Sequence, residues 1–263
     1  MAHNQPGLPC PVRRRTLLSL LLLLFLVILW APWREASSAT RPQTPEWATQ
    51  GLGAVATANN ANANLEYYFF FPTRLLQQPQ LVHPVLVIVP GLSGRVTKAD
   101  PATWGKASRE NGWIILSPHF KFAERDWETV TSYQYPEAWS GQALLDIMKD
   151  FSARSRLKLG PCYLHGVSAG AQFVVRFALW RPAICRAVAA HAGGGTITPQ
   201  QYIPVRFFIS IGREDLSRQG QFDWFLQKAA AVGIPVQSKI YPGGHGLPRE
   251  QPQDSIRFFE EVR

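Results

Sequence analysis

The 263 residues, 46% hydrophobic and 17% charged, suffice for one domain with a sizeable core and are too apolar for a disordered chain. The formal charge of +9 comes from scattered basic residues. Without residues 1–39, which hold four Arg and one Glu, it is +6, and the absence of a basic stripe or nucleic-acid motif excludes nucleic acid as the expected partner.

In chain order, Arg13-Arg14-Arg15 precedes a run from Leu17 to Trp30 that is apolar but for Ser19, and Ser37-Ser38-Ala39 offers small residues for a cut. A positive n-region, an apolar h-region and an A-x-A-like site make residues 1–39 a secretory signal peptide. A competing reading keeps the segment as an uncleaved signal anchor, with membrane attachment through residues 16–33 and Trp30 and Trp33 at the interface. Both readings put the folded part outside the cytoplasm, secreted, periplasmic or anchored. Residues 40–64, rich in Pro, Ala and Asn, read as a flexible linker unable to drive a core. The folded domain is expected over residues 65–263.

Leu65 to Phe71 is strand-like, and Pro84 to Val89 is a continuous apolar run, as in a strand buried on both faces. A helix over Ala102 to Asn111 stops at Gly112, and a strand follows from Trp113 to Leu116. Residues 119–139 lack a clear period but are rich in aromatic side chains, and would serve either as a cap over a site or as a surface excursion covering the core. Ser140 to Leu157 has helical spacing. Strands then follow at Tyr163–Val167, Ala187–Ala190, Arg206–Ile211 and Val236–Tyr241, with helices after Ser168, around Phe222 to Val232 and over Ser255 to Val262. Alternating strands and helices predict an α/β fold: a mostly parallel central sheet with helices on both faces. Cys162 and Cys185 begin two neighbouring strands, so both a bridge and a pair of buried free thiols stay open.

Gly166-Val167-Ser168-Ala169-Gly170 stands between a strand and a helix. In that context a sharp turn holds a serine exposed as a nucleophile, and Gly166 and Gly170 are needed because strand and helix pass too close for side chains. A serine hydroxyl needs a base, and the base needs an orienting acid. Downstream of Ser168 there are two histidines. His245 lies in the loop Gly243-Gly244-His245-Gly246 after the last strand, whereas His191 ends a strand and reads as a site-lining or a core residue. Between Ser168 and His245 the carboxylates are Glu214, Asp215 and Asp223. Asp223 falls within a helix, and of the two at a strand end the shorter Asp215 is preferred.

The order Ser168, Asp215, His245, each at a strand end, resembles that of the α/β-hydrolases. Over residues 65–263 the chain is similar to their secreted esterase and polyhydroxyalkanoate-depolymerase-like branch, with dienelactone-hydrolase-like proteins as relatives. The resemblance implies an oxyanion hole from the backbone amides of Leu92 and Ala169, although Pro90-Gly91 stands where relatives often carry His-Gly. It also implies hydrolysis of a carboxylic ester, small or polymeric, through an acyl-enzyme on Ser168 with His245 as base and Asp215 as acid, with no cofactor and no metal. A peptidase or amidase of the same fold and a non-catalytic hydrolase-like binding protein are the alternatives.

Overall fold

A computed structural model describes residues 51–56, 66–92, 104–121, 125, 129–246 and 248–263 of the chain. The signal or anchor expected over residues 1–39 lies outside the described residues, as does most of the expected linker. Among the described residues no helix is long and apolar enough to cross a membrane.

Eight strands form one sheet among the described residues: β1 (Leu52–Ala56), β2 (Glu66–Phe70), β3 (Val82–Val89), β4 (Ile114–His119), β5 (Lys158–Val167), β6 (Cys185–His191), β7 (Arg206–Gly212) and β8 (Val236–Tyr241). They lie side by side in the order β1-β2-β4-β3-β5-β6-β7-β8. Every neighbouring pair from β4 to β8 is parallel, and β1 and β2 add antiparallel at the edge. Strand β1 corrects the sequence reading, which ran a structureless linker to residue 64. Residues 52–56 extend the sheet by backbone pairing with β2, which composition does not reveal.

Among the described residues five α-helices accompany these strands, the last of them following β8: α1 (Gly105–Asn111), α2 (Gly141–Ser155), α3 (Ala169–Trp180), α4 (Leu216–Ala231) and α5 (Gln251–Glu261). Strand residues alternate between two apolar layers. Val85, Val87 and Val89 of β3 face the layer containing Phe151 of α2, Phe173 and Phe177 of α3 and Phe225 of α4. Leu86 and Ile88 face Ala107 of α1 and Phe258 and Phe259 of α5. Helices on both faces make the central strands apolar throughout, as β3 is. Helix α1 ends as expected at Gly112, whose left-handed φ of 70° closes the turn.

The connection from β3 runs one way to β4, and the chain then returns to β5 on the other side of β3. The crevice beyond the carboxyl ends of β3 and β5 is thus the topological switch point, the place where open α/β sheets bind ligands. Cys162 and Cys185 lie opposite each other on β5 and β6, both free and buried, their sulfurs 3.8 Å apart. The bridge left open by the sequence is absent here.

Candidate active site

Ser168 connects β5 directly to α3 with φ 55° and ψ −117°, a conformation that costs an L-residue of order 1–3 kcal/mol and that the surroundings must hold. They do so by close packing. A Cβ on Gly166 would lie 2.3 Å from the carbonyl oxygen of Gly170, and one on Gly170 would lie 2.4 Å from that of Pro90. Both glycines are therefore required, for the reason the sequence suggested. The Ser168 amide donates to the His191 carbonyl on β6 (2.8 Å), tying the turn to the sheet.

His245 reaches Ser168 from the loop after β8. Its Nε2 is 3.1 Å from Ser168 Oγ, and its Nδ1 is 2.8 Å from Asp215 Oδ2. With Nδ1–H donating to the carboxylate, Nε2 is left to accept from the hydroxyl. Asp215 follows β7 at the N-cap position of α4, its side chain making no capping bond to the helix and turned instead to His245. The acid and histidine loops are pinned together, Arg213 N–H donating to Tyr241 O (2.8 Å) and Glu214 N–H to Gly243 O (2.9 Å). A Cβ on Gly212 would sit 2.0 Å from Gly244 O, so the crossing tolerates only glycine. Glu214 and Asp223 are exposed, whereas Asp215 is buried.

Sequence reasoning missed a second set of partners on Asp215. Its Oδ1 accepts from Arg218 Nη1 (2.9 Å) and from Ser217 Oγ (3.2 Å). Burial pushes the carboxyl up, but hydrogen bonds from His245 and Arg218 outweigh it and hold the carboxyl below its ordinary range. Asp215 therefore remains ionised beside His245 at neutral pH. The Asp-x-x-Arg spacing at the start of α4 was visible in the sequence as the only hint.

Of the proposed oxyanion donors, Ala169 opens α3, where the first-turn N–H groups have no intrahelical acceptor and the helix dipole favours negative charge. Leu92 lies in the loop after β3. Its neighbour Gly91 is close enough that an added Cβ would lie 3.9 Å from Ser168 Cβ. Tyr133, also missed, anchors that loop: its hydroxyl shares a proton between the carbonyls of Pro90 (3.0 Å) and Gly91 (2.5 Å). Burial raises its pKa, so the phenol stays a donor. The ring is fully buried and stacks on Phe120. This part of the aromatic segment 119–139 covers the core and braces the site at once. Phe122 and Trp127 lie outside the described residues.

His191 proves to be a core histidine, fully buried, with Nδ1 2.6 Å from Ser210 Oγ and Nε2 2.9 Å from Ser255 Oγ. His165 is buried against Trp104 and His191, and desolvation lowers its pKa to about 4.

No family model and no curated protein matches this chain. Solved structures do. A thermostable esterase is 17% identical with a TM-score of 0.62, the match covering 82% of this chain and 64% of the esterase. A poly(3-hydroxybutyrate) depolymerase from Bordetella parapertussis is 19% identical, with a TM-score of 0.60 and coverage of 81% and 90%. Dipeptidyl peptidase 4 from Porphyromonas gingivalis is 12% identical, with a TM-score of 0.59 and coverage of 81% and 35%. This chain thus spans under two thirds of the esterase and about a third of the peptidase. Together with the strand order and the turn at Ser168, these likenesses define the architecture: the chain has the α/β-hydrolase fold.

Proposed function

We propose that this protein is a serine hydrolase that cleaves a carboxylic ester, small or polymeric, through an acyl-enzyme on Ser168. The observation that carries the reading is the unbroken hydrogen-bond chain from Ser168 Oγ through His245 to Asp215, beginning at a strained turn beyond the carboxyl ends of the strands. In the proposed reaction His245 Nε2 takes the proton as Ser168 Oγ attacks the ester carbonyl. Ionised Asp215 stabilises the imidazolium, and the amides of Leu92 and Ala169 receive the oxyanion, each donor supplying about 3 kcal/mol in the transition state. The alcohol leaves with the proton from His245, which then activates water to free the acid and restore Ser168.

The test uses purified full-length protein with an acyl-chain-length series of activated esters, one polyester and one amide. Ser168→Ala is expected to lower ester turnover by roughly 10⁴-fold or more while unfolding at the wild-type temperature, and a fluorophosphonate should label only the wild type. Unchanged turnover in Ser168→Ala would sink the reading, and a wild type that neither labels nor turns over would favour a binding protein. A second reading, hydrolysis of an amide or peptide bond, draws on the likeness to the dipeptidyl peptidase, and preference for the amide in the same panel would select it. We also infer export or membrane anchoring from the N-terminal sequence, which fractionation of producing cells would check.

A further inference from the structure

Arg176 lies on α3, eight residues beyond Ser168, roughly 12 Å along the helix. Its contacts are all with neutral groups. Nη1 donates to Gln134 O (3.2 Å) and Gln172 Oε1 (2.9 Å), and the guanidinium lies 4.4 Å from the centroid of the Tyr135 ring. By contrast Arg154, Arg218 and Arg257 each pair with an aspartate one helical turn away. Among the described residues no carboxylate pairs with Arg176. Arg176 is half-buried, and this partial loss of water lowers its pKa. The two hydrogens on Nη1 are used. Among the described residues, the three N–H donors on Nη2 and Nε have no protein acceptor.

Arg176 lines a cavity of about 620 Å³ between α3, residues 130–138 and residues 198–203, within the range of small-molecule sites. The walls include Tyr135, Leu179, Trp180 and Ile203, with Gln200 and Gln201 at the opening. Two other charged groups lie nearby. Glu137 is exposed at the rim, and Arg181 stacks on the Trp180 ring, 3.9 Å from its centroid. A forked guanidinium with free donors matches a carboxylate in plane, and the aromatic and aliphatic walls suit an organic body rather than an inorganic ion.

We propose that this cavity is a binding site for an organic acid, its carboxylate on Arg176 and its apolar body against Leu179, Trp180 and Ile203. The acid is either the far end of a substrate held at Ser168 or a separate molecule. The site itself stands whether or not the protein hydrolyses esters.

The first measurement is calorimetry on full-length Ser168→Ala with hexanoate and its neutral counterpart hexanamide. Hexanoate is expected to bind and hexanamide to bind far more weakly. Adding Arg176→Gln should weaken hexanoate about tenfold to a hundredfold, as expected for loss of a charge-assisted hydrogen bond, with hexanamide unaffected. Because Arg176 also braces Gln134 and Gln172, Gln201→Glu serves as a variant that leaves those bonds intact. Its added charge at the opening should weaken hexanoate several-fold. Equal binding of acid and amide, no binding of either, or hexanoate affinity indifferent to both substitutions would overturn the site.

A kinetic arm on the Ser168 protein separates the two sources. If the acid is part of the substrate, 4-nitrophenyl monosuberate should show a KM raised about tenfold or more by Arg176→Gln, with 4-nitrophenyl hexanoate unchanged. If it is a separate molecule, added hexanoate should alter turnover of 4-nitrophenyl acetate in the wild type and not in Arg176→Gln. A protein inactive on all three esters would count against the hydrolase reading and leave the site to the calorimetry.

Discussion

Two histidines at strand ends differ in what surrounds them. His245 and His191 each lie about 3 Å from a serine hydroxyl, at 3.1 Å and 2.9 Å. His245 has a carboxylate on its other nitrogen and a side chain 42% exposed, whereas His191 has a second serine there and is 0% exposed. Desolvation holds His191 well below its ordinary pKa, with His165 alongside pushing the same way. His191 is therefore a strut between β6, β7 and α5 whose burial disfavours a positive charge. His245 has Asp215 to stabilise that charge and an open approach to Ser168. A serine–histidine hydrogen bond alone is no sign of chemistry; the acid behind it and the access before it are.

The sharpest way to break this comparison is Asp215→Asn, which keeps the shape and removes the charge. Turnover should fall by roughly 10⁴-fold, and a loss of less than tenfold would reduce Asp215 to a structural role. Next comes acid stability. His165, at about 4 when folded against 6.5 when unfolded, takes up its proton only on unfolding within that window, so the unfolded state binds more protons and stability must fall as pH drops from about 6.5 toward 4. At 1.36 kcal/mol per pH unit the loss approaches about 3 kcal/mol, and His191 adds to it in the same direction. Unfolding free energies from denaturant titrations should therefore fall as pH drops across this range in the wild type and fall less in His165→Gln and His191→Asn. Turnover in both variants at pH 7.5 should stay within a few-fold of wild type, since neither side chain touches Ser168. A large loss of turnover in His191→Asn would erase the distinction between the two histidines.

The smallest expected effect tests the brace on the oxyanion loop. Tyr133→Phe retains the stacked ring and deletes the bond to Pro90 and Gly91. It should lower kcat about tenfold with little change in KM, because a displaced donor is missed in the transition state more than in binding. An equal rise in KM with kcat unchanged would mean that Tyr133 shapes the binding surface instead.

Much of this architecture was legible because it is local. The β-branched run of β3, the period of α2, Gly112 after α1 and the glycines around Ser168 state their conformations in short windows. The full lengths of β3 and β5 were not legible: β3 begins at Val82 rather than Pro84 and β5 at Lys158 rather than Tyr163, so each takes in a proline, Pro84 and Pro161. Both fall beside register shifts in the pairing, where a missing N–H is tolerated. Strand β1 escaped for a different cause: its partner β2 supplies the pairing that its own composition does not suggest.

By itself the sequence determined the alternation of strands and helices, the turn at Ser168 and a short set of candidate partners, since few histidines and carboxylates follow that serine. Only the tertiary structure decided which of them meet. It put Asp215 rather than Glu214 behind His245, made His191 a strut, brought Tyr133 to a loop more than 40 residues away and left Arg176 facing a cavity with no carboxylate among the described residues paired to it. Those outcomes depend on burial and on contacts between distant segments, and neither is written in any local stretch of the chain.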